Sequence, residues 1–166
     1  MADELGTIER SDGRYSLRMV RHLSRPPADV WAALTEPARL ERWLGKTTLE
    51  LRPGGAIEIA FDENDSIRGT VRAVEPEKRL EYSWCEGPVE EDASVVCFEL
   101  SANGDGTLLI LTHRNQPPAM ARRTCAGWHA HVDVLAGELT GDAPSWECRY
   151  ERARGRYEPL VDAVTD

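Results

Sequence analysis

The chain has 166 residues, a mass of 18.5 kDa, 41% hydrophobic and 30% charged residues, and a formal net charge of −9. This length fits one domain, with enough apolar material to form a core without metals or cross-links. The acidic balance argues against nucleic-acid binding, which depends mainly on Lys and Arg. The sequence shows no secretion leader and no apolar run of about 18 residues, so we expect a cytoplasmic protein that does not span a membrane.

The chain begins with a polar stretch that is followed by a strand pattern. Residues 1–13 carry no sustained period and predict a flexible tail. The stretch "RYSLRMVRHL", residues 14–23, alternates apolar and polar residues, as a half-buried strand does. Arg21 is the exception, because it falls on the apolar side of this strand.

Two short helices are predicted next, in an unusually tight arrangement. Pro27 and Pro37 each suit the first position of a helix, where the missing N–H is not needed. Gly45 follows the second helix and predicts a left-handed stop. The helical hairpin carries two tryptophans, Trp31 and Trp43, and we interpret both as candidates for the core.

Several strands joined by short turns are predicted over residues 47–113. The stretches "TTLELRPGGAIEIAF" and "SIRGTVRAVEPEKRLEYSW" each read as two strands around a turn. The acidic "EGPVEED", residues 86–92, is interpreted as a solvated loop. The stretch "ASVVCFELSANGDGTLLILTH" predicts a hairpin around "NGDG". Because each strand reaches the next through a short turn, the pattern indicates an antiparallel meander.

The C-terminal part changes to helical spacing. Apolar residues recur every three or four positions from Ala119 to Leu139, which predicts a long helix with Gly141 as its cap. Residues 142–166 predict a helical extension that is broken or frayed at Gly155. We therefore predict an α+β fold in residues 14–141, with a curved antiparallel sheet of about seven strands wrapped around the long helix.

Five phrases carry a family resemblance: "RHLSRPPADVWAALTEPARLERWL", "LRPGGAIEI", "GTVRAVEPEKRLEYSW", "NGDGTLLILTH" and "GWHAHVDVL". Together they resemble the Activator of Hsp90 ATPase homolog 1-like branch of the START-like, or SRPBCC, superfamily. The resemblance covers the chain from about Arg14 to about Gly141. It implies a helix-grip fold with a deep cavity between sheet and helix, which in this superfamily commonly holds hydrophobic small molecules.

A cavity in this position predicts a set of ligand-contacting residues from the inward strand positions, the long helix and the helical hairpin. We expect binding by Trp43, Phe61, Tyr82, Trp84, Phe98, Leu111, His113, Trp128, His131 and Leu135. The polar tips of Tyr82, His113 and His131 need a partner in an apolar cavity. Either a ligand contact or a structural hydrogen bond satisfies that need.

Metal and redox chemistry find little support in the sequence. The four cysteines form no CxxC pair and are interpreted as reduced core residues, with a Cys85–Cys97 bridge as the alternative. Cys125, His129 and Asp133 recur every four positions along the long helix, a run of about 12 Å that is too long for three ligands around one ion. We predict no metal and no cofactor.

The function predicted is the binding of a small hydrophobic or aromatic ligand, in a carrier, sensor or sequestering role. No catalytic motif is visible, so no catalytic residue is assigned. Two alternatives stay open. One is an enzyme of the polyketide cyclase, dehydratase or hydrolase type that uses the same cavity, and the other is a regulator of an Hsp90-type chaperone. The partner predicted is a small hydrophobic molecule, with a homodimer and a chaperone as further alternatives.

Overall fold

The computed structural model describes residues 4–87 and 93–165. The acidic loop expected at residues 86–92 therefore falls mostly outside the described residues. The described parts of the chain form eight strands and four helices, in the order β1 (Thr7–Ser11), β2 (Arg14–Leu23), α1 (Pro27–Thr35), α2 (Pro37–Trp43), β3 (Lys46–Leu49), β4 (Ala56–Ala60), β5 (Ser66–Glu75), β6 (Arg79–Trp84), β7 (Ser94–Asn103), β8 (Gly106–Gln116), α3 (Pro118–Thr140) and α4 (Trp146–Ala163). None of these helices has the length and apolarity needed to cross a membrane.

The strands form one curved antiparallel sheet with the order β1-β2-β8-β7-β6-β5-β4-β3. Strands β3 to β8 follow one another as a meander, while β2 pairs with β8 and closes the other side. The helical hairpin connects β2 to β3 and so crosses from one side of the sheet to its far edge. The predicted helix-grip architecture is confirmed, with eight strands in place of about seven.

The core lies between the sheet and α3. Trp128, Val132 and Leu135 on α3 are at most 1% exposed and belong to the same buried cluster as Phe98 and Leu111 of the sheet. Their spacing of four and three puts these side chains on one face of the helix. The apolar stripe of the sequence therefore faces the sheet, as predicted.

The helical hairpin has the predicted bounds, and an ion-pair network joins its two helices. The carboxylate of Asp29 lies 2.7 Å from Arg39 Nη1 of α2 and 2.8 Å from Arg25 Nε. These hydrogen bonds, from Arg25 and then Arg39, lower the pKa of Asp29. The expected left-handed stop at Gly45 is wrong, because positive φ occurs at other glycines. A Cβ at Gly45 would lie 2.8 Å from the carbonyl oxygen of Ala60, so the close approach of β4 requires the glycine.

The expectation of a loose tail over residues 1–13 is wrong for Thr7–Ser11, which form the edge strand β1 paired with β2. The two strands are joined by Asp12 and Gly13, whose φ angles are 52° and 76°. An Asp-Gly pair with two positive φ angles is a strong hairpin turn, because its twist matches that of the strands. The dipeptide was therefore the sequence evidence for an additional hairpin.

Helix α4 is continuous, so the break or fraying expected at Gly155 is wrong. The side chains of Ala153, Tyr157 and Val161 are buried on both sides of this glycine and hold the helix in place. Ala153 and Tyr157 lie in the same core cluster as the sheet and α3. The expected cap at Gly141 is confirmed, since this residue ends α3 with a φ of 82°.

Candidate functional site

A cavity of about 600 Å³ opens at one end of the grip, between α2, α3, α4 and the ends of β4 and β6. Its position differs from the expected interior space, because aromatic and aliphatic side chains fill the middle of the molecule. The aromatic residues that line the cavity are Trp43, Phe61, Trp84, Trp128, His131, Trp146 and Tyr150. Aromatic rings from several elements therefore contribute to the lining.

The rings form a continuous wall. Trp84 and Trp128 are 5.2 Å apart between ring centroids, and Phe61 lies 5.8 Å from Trp84. His131 lies 5.9 Å from both Phe61 and Trp128. These distances lie within the range of favourable aromatic contacts, which hold the rings in fixed relative orientations.

Five elements contribute these rings, and local spacing explains two pairs of them. Trp128 and His131 stand three residues apart on α3 and so share a face. Trp146 and Tyr150 stand four residues apart at the start of α4 and stack at 4.8 Å with an interplanar angle of 10°. Phe61 directly follows the last residue of β4 and is half-buried. The remaining two rings come from the ends of α2 and β6.

Trp43 of the helical hairpin belongs both to the core and to the lining of the cavity. Its Nε1 donates to the carbonyl oxygen of Ala33 at 2.8 Å, and its ring meets the edge of Phe98 at 6.4 Å. The residue is 3% exposed and contributes to both the core and the cavity lining. Trp31 instead is half-buried and packs against the outside of the core.

His131 is a neutral imidazole with a defined tautomer. Its Nδ1 donates to the carbonyl oxygen of Trp43 at 2.9 Å, because a carbonyl can only accept. Burial lowers the pKa of His131 to about 4, with the hydrogen bond to Trp43 acting in the opposite direction. At neutral pH the lone pair therefore resides on Nε2, which can accept a hydrogen bond from a ligand.

His113 is a core residue and lies outside the lining of this cavity. It is 0% exposed, and its Nδ1 accepts from Trp128 Nε1 at 2.9 Å. Its Nε2 lies 2.7 Å from the hydroxyl of Ser94, which in turn donates to the carbonyl oxygen of Trp84 at 3.0 Å. Burial lowers the pKa of His113 to about 3, which keeps it neutral within this chain of hydrogen bonds.

Four other predicted contacts also lie in the packed core and do not line the cavity: Tyr82, Phe98, Leu111 and Leu135. The ring of Phe98 meets Tyr82 at 6.2 Å and Trp128 at 5.8 Å, so that aromatic packing fills the space behind the cavity. The structure thus brings five of the predicted residues together at the cavity: Trp43, Phe61, Trp84, Trp128 and His131.

The cavity also involves residues that the sequence reasoning missed. Trp146 and Tyr150 were read at helical spacing but assigned to an extension, and only the fold brings α4 against the mouth. The Nε1 atoms of Trp84 and Trp146 are buried with no hydrogen-bond acceptor among the described residues. Because an indole N–H can only donate, each of these two N–H groups lacks, among these residues, the acceptor that a buried donor normally has.

Gly127 leaves open space on the helix side of the cavity. It lies inside α3, and a Cβ built on it would have no heavy atom of a neighbour within 4 Å. Gly137 of the same helix is different, because a Cβ there would lie 2.5 Å from the carbonyl oxygen of Asp142. Crowding thus explains the glycine at 137 but not the one at 127, where a helix-interior glycine costs about 0.5–1 kcal/mol relative to alanine.

A separate polar cluster explains the charged residue on the apolar side of β2. Arg21 is 4% exposed, and its guanidinium donates to the carbonyl oxygen of Glu4 at 2.8 Å. The same group lies 3.2 Å from His129 Nδ1 and 3.9 Å from Asp133 Oδ1. His129 Nδ1 is also 3.0 Å from the hydroxyl of Tyr157, so this cluster ties β2 and α3 to α4.

Two of the three candidate metal ligands on α3, His129 and Asp133, therefore have protein partners. No group of three His, Cys, Asp or Glu residues within 4–87 and 93–165 is arranged to hold a metal ion. All four cysteines are free thiols. The bridge considered for Cys85 and Cys97 does not form, because the register of β6 and β7 places Cys97 opposite Glu81.

An antiparallel sheet that grips a long C-terminal helix, with an aromatic cavity at one end, defines a helix-grip protein. The chain belongs to the family of Activator of Hsp90 ATPase homolog 1-like proteins, whose family model matches residues 24–140. No curated protein matches the chain.

Solved structures with this fold are similar over most of the chain. The crystal structure of CalU16 from Micromonospora echinospora has 28% identity and a TM-score of 0.78, over 95% of this chain and 98% of that one. The protein encoded by gene BPP1335 of Bordetella parapertussis has 32% identity and a TM-score of 0.72, over 86% and 84%. A conserved protein of unknown function from Enterococcus faecalis, EF2215, shares the fold at 19% identity and a TM-score of 0.82, over 97% and 92%.

Proposed function

We propose that this protein binds a small hydrophobic or aromatic molecule in the cavity between α2, α3 and α4, as a carrier, sensor or sequestering protein of the cytoplasm. The observation that carries the proposal is the open space above Gly127 inside a wall of aromatic rings. Alanine at this position would make the helix more stable, because alanine favours a helix more than glycine does. A ligand that occupies the open space would explain why position 127 carries a glycine.

The size and chemistry of the cavity support the same proposal. Its volume of about 600 Å³ lies within the usual range for ligand pockets, about 300–1,000 Å³. Such pockets are mostly apolar with a few polar groups that orient the ligand. Here the acceptor His131 Nε2 is such a group.

The proposal is tested with prodan, a neutral naphthalene ketone whose emission shifts to the blue in apolar surroundings. We expect saturable binding of prodan by the wild type, because its ring fits the aromatic wall. Gly127→Leu places a side chain in the open space, and we expect at least a tenfold loss of affinity, about 1.4 kcal/mol. Gly127→Ala adds only a Cβ, and we expect retained binding and a gain of about 0.5–1 kcal/mol in the free energy of unfolding.

Gly155→Leu is the matched control. This glycine also lies inside a helix with no atom near a built Cβ, but it is exposed and does not line the cavity. Prodan should bind Gly155→Leu as it binds the wild type. Equal affinity of the wild type and Gly127→Leu would exclude the cavity as the binding site.

An enzyme can be distinguished from a carrier by testing whether the protein converts the small molecule that it binds in its host. Native mass spectrometry of protein purified from its own host identifies any small molecule that accompanies the chain. A carrier returns this molecule unchanged after incubation and gains thermal stability that follows the logarithm of its concentration. Conversion to a new product would favour the cyclase, dehydratase or hydrolase alternative.

A further inference from the structure

The basic residues that line the cavity have ion-pair partners, whereas most of its acidic residues have none among the residues that the structure describes. Two arginines line it, and each is held by a carboxylate: Arg42 lies 3.8 Å from Glu138, and Arg123 forms an ion pair with Glu86. Four further carboxylates of the lining have no basic partner within ion-pair distance in the described parts of the chain: Glu41, Asp62, Asp65 and Glu147. The electrostatic potential at the mouth is therefore negative.

The wall behind these carboxylates is suited to a cation. The faces of aromatic rings carry negative charge, and a cation within about 6 Å of a ring centroid is attracted to them. The stacked pair Trp146–Tyr150 lies 5.3 Å from His131, measured from the Trp146 ring, and Trp128 and Trp84 continue the wall. The carboxylates alone would define no site, but here they lie beside aromatic rings in the lining of an open cavity of about 600 Å³.

The one imidazole in the lining adds to this preference. Because Nδ1 of His131 donates to the carbonyl of Trp43, its Nε2 is an acceptor and can receive an N–H from the ligand. Burial lowers the pKa of His131 to about 4, so the ring carries no positive charge at neutral pH that would repel a cation. No lining group thus opposes a positive charge except the two paired guanidinium groups.

We propose that the cavity selects aromatic ligands that carry a protonated amine over neutral or anionic ligands of the same shape. This inference rests on the proposed function, since it specifies the ligand class of the same site. The ring of the ligand packs in the aromatic wall, and its ammonium group faces the unpaired carboxylates at the mouth.

The test uses three naphthalene compounds, all substituted at the β position: naphthylmethylamine, naphthylmethanol and naphthoate. Their ring is constant and their charge is positive, neutral and negative at pH 7. Isothermal titration calorimetry at low salt should give the order amine, alcohol, carboxylate, with about tenfold between amine and alcohol. Added salt should narrow this gap, because the mouth is exposed and its charges are screened.

Asp65→Asn and Glu41→Gln remove unpaired charges from the mouth. Asp65 lies in the turn between β4 and β5, where its backbone groups make the hydrogen bonds, so the amide preserves the turn. Each substitution should weaken the amine about two- to fivefold, as expected for one exposed charge, and leave the alcohol unchanged. Asp105→Asn is the matched control, because Asp105 lies in the turn between β7 and β8 and is not part of the lining.

The outcomes separate the two proposals. Equal affinities for amine and alcohol, or tighter binding of the carboxylate, would overturn the charge preference and leave the binding function intact. An effect of Asp105→Asn as large as that of Asp65→Asn would also overturn it, because only the net charge of the protein would then matter. Absence of binding by all three compounds would overturn both proposals.

Discussion

Two histidines that look alike in the sequence differ in their surroundings at the scale of single residues. His113 is enclosed by hydrogen bonds to Trp128 and Ser94, and nothing of it reaches the cavity. His131 donates through Nδ1 to the carbonyl oxygen of Trp43, and its Nε2 remains an acceptor in the lining of the cavity. The alternation of β8 predicts that His113 faces inward, but the identity of its hydrogen-bond partners follows from residues distant in the chain.

This difference predicts the effect of removing His113. His113→Ala should lower the free energy of unfolding by about 3 kcal/mol, because it leaves a cavity and deprives the Trp128 N–H of its acceptor. Urea unfolding followed by tryptophan fluorescence measures the loss. His22→Ala is the control, since His22 is exposed and such surface changes cost within about 0.5 kcal/mol. A wild-type midpoint for His113→Ala would contradict the role of His113 in the core.

Helix α4 shows at the scale of elements how an expected extension becomes part of the fold. The hydroxyl of Tyr157 accepts from the backbone N–H of Gly6 at 2.8 Å and lies 3.0 Å from His129 Nδ1. One side chain therefore connects α4 to the segment before β1 and to α3. The start of the same helix supplies Trp146 and Tyr150 to the cavity, so that its attachment also positions the mouth.

The attachment through Tyr157 can be measured. Tyr157→Phe keeps the ring but removes the acceptor for the buried N–H of Gly6, and we expect a loss of about 1–3 kcal/mol in the free energy of unfolding. Hydrogen exchange should become faster in β1 and α4 and stay unchanged in β6 and β7. Tyr150→Phe is the matched control, because no hydrogen bond of the Tyr150 hydroxyl occurs in the described residues. Unchanged exchange in Tyr157→Phe would exclude the hydroxyl as the link between these elements.

Buried neutral histidines give stability a defined pH dependence at the scale of the whole molecule. Burial lowers the pKa of His113 to about 3 and of His131 to about 4, from an ordinary value of 6.5. Between these values and 6.5 the unfolded chain binds protons that the fold excludes, so stability rises with pH. We expect it to fall by up to about 1.4 kcal/mol per pH unit for each histidine as the pH decreases from 6.5 to 4.

Urea unfolding at a series of pH values checks this expectation. His131→Gln keeps a donor for the carbonyl of Trp43 but cannot titrate, so the slope of stability against pH should decrease by the contribution of one histidine. His22→Gln makes the same replacement at an exposed histidine outside the cavity lining and serves as the control. Stability that is constant between pH 6.5 and 4 would show that the two imidazoles are not excluded from protonation in the fold.

Local patterns were sufficient to predict most elements, and their failures have local reasons. The alternation in β2, the prolines at the starts of α1 and α2 and the apolar stripe of α3 all predicted the observed elements. Strand β1 was missed although its Asp12–Gly13 turn was present in the sequence. Helix α4 was predicted to fray at Gly155 because helix propensity disfavours glycine, and burial of Tyr157 on its far side outweighs that preference.

The sequence by itself determined the meander from β3 to β8 and the long helix α3, because the period of the apolar residues and the turn residues between them act within a few positions of the chain. It also determined that Trp43, Phe61, Trp84, Trp128 and His131 face inward, since inward orientation follows from the same periods. The tertiary structure alone decided which inward residues border open space and which fill the core. That division depends on how α3 packs against α2 and α4, and on side-chain volumes that no local pattern encodes.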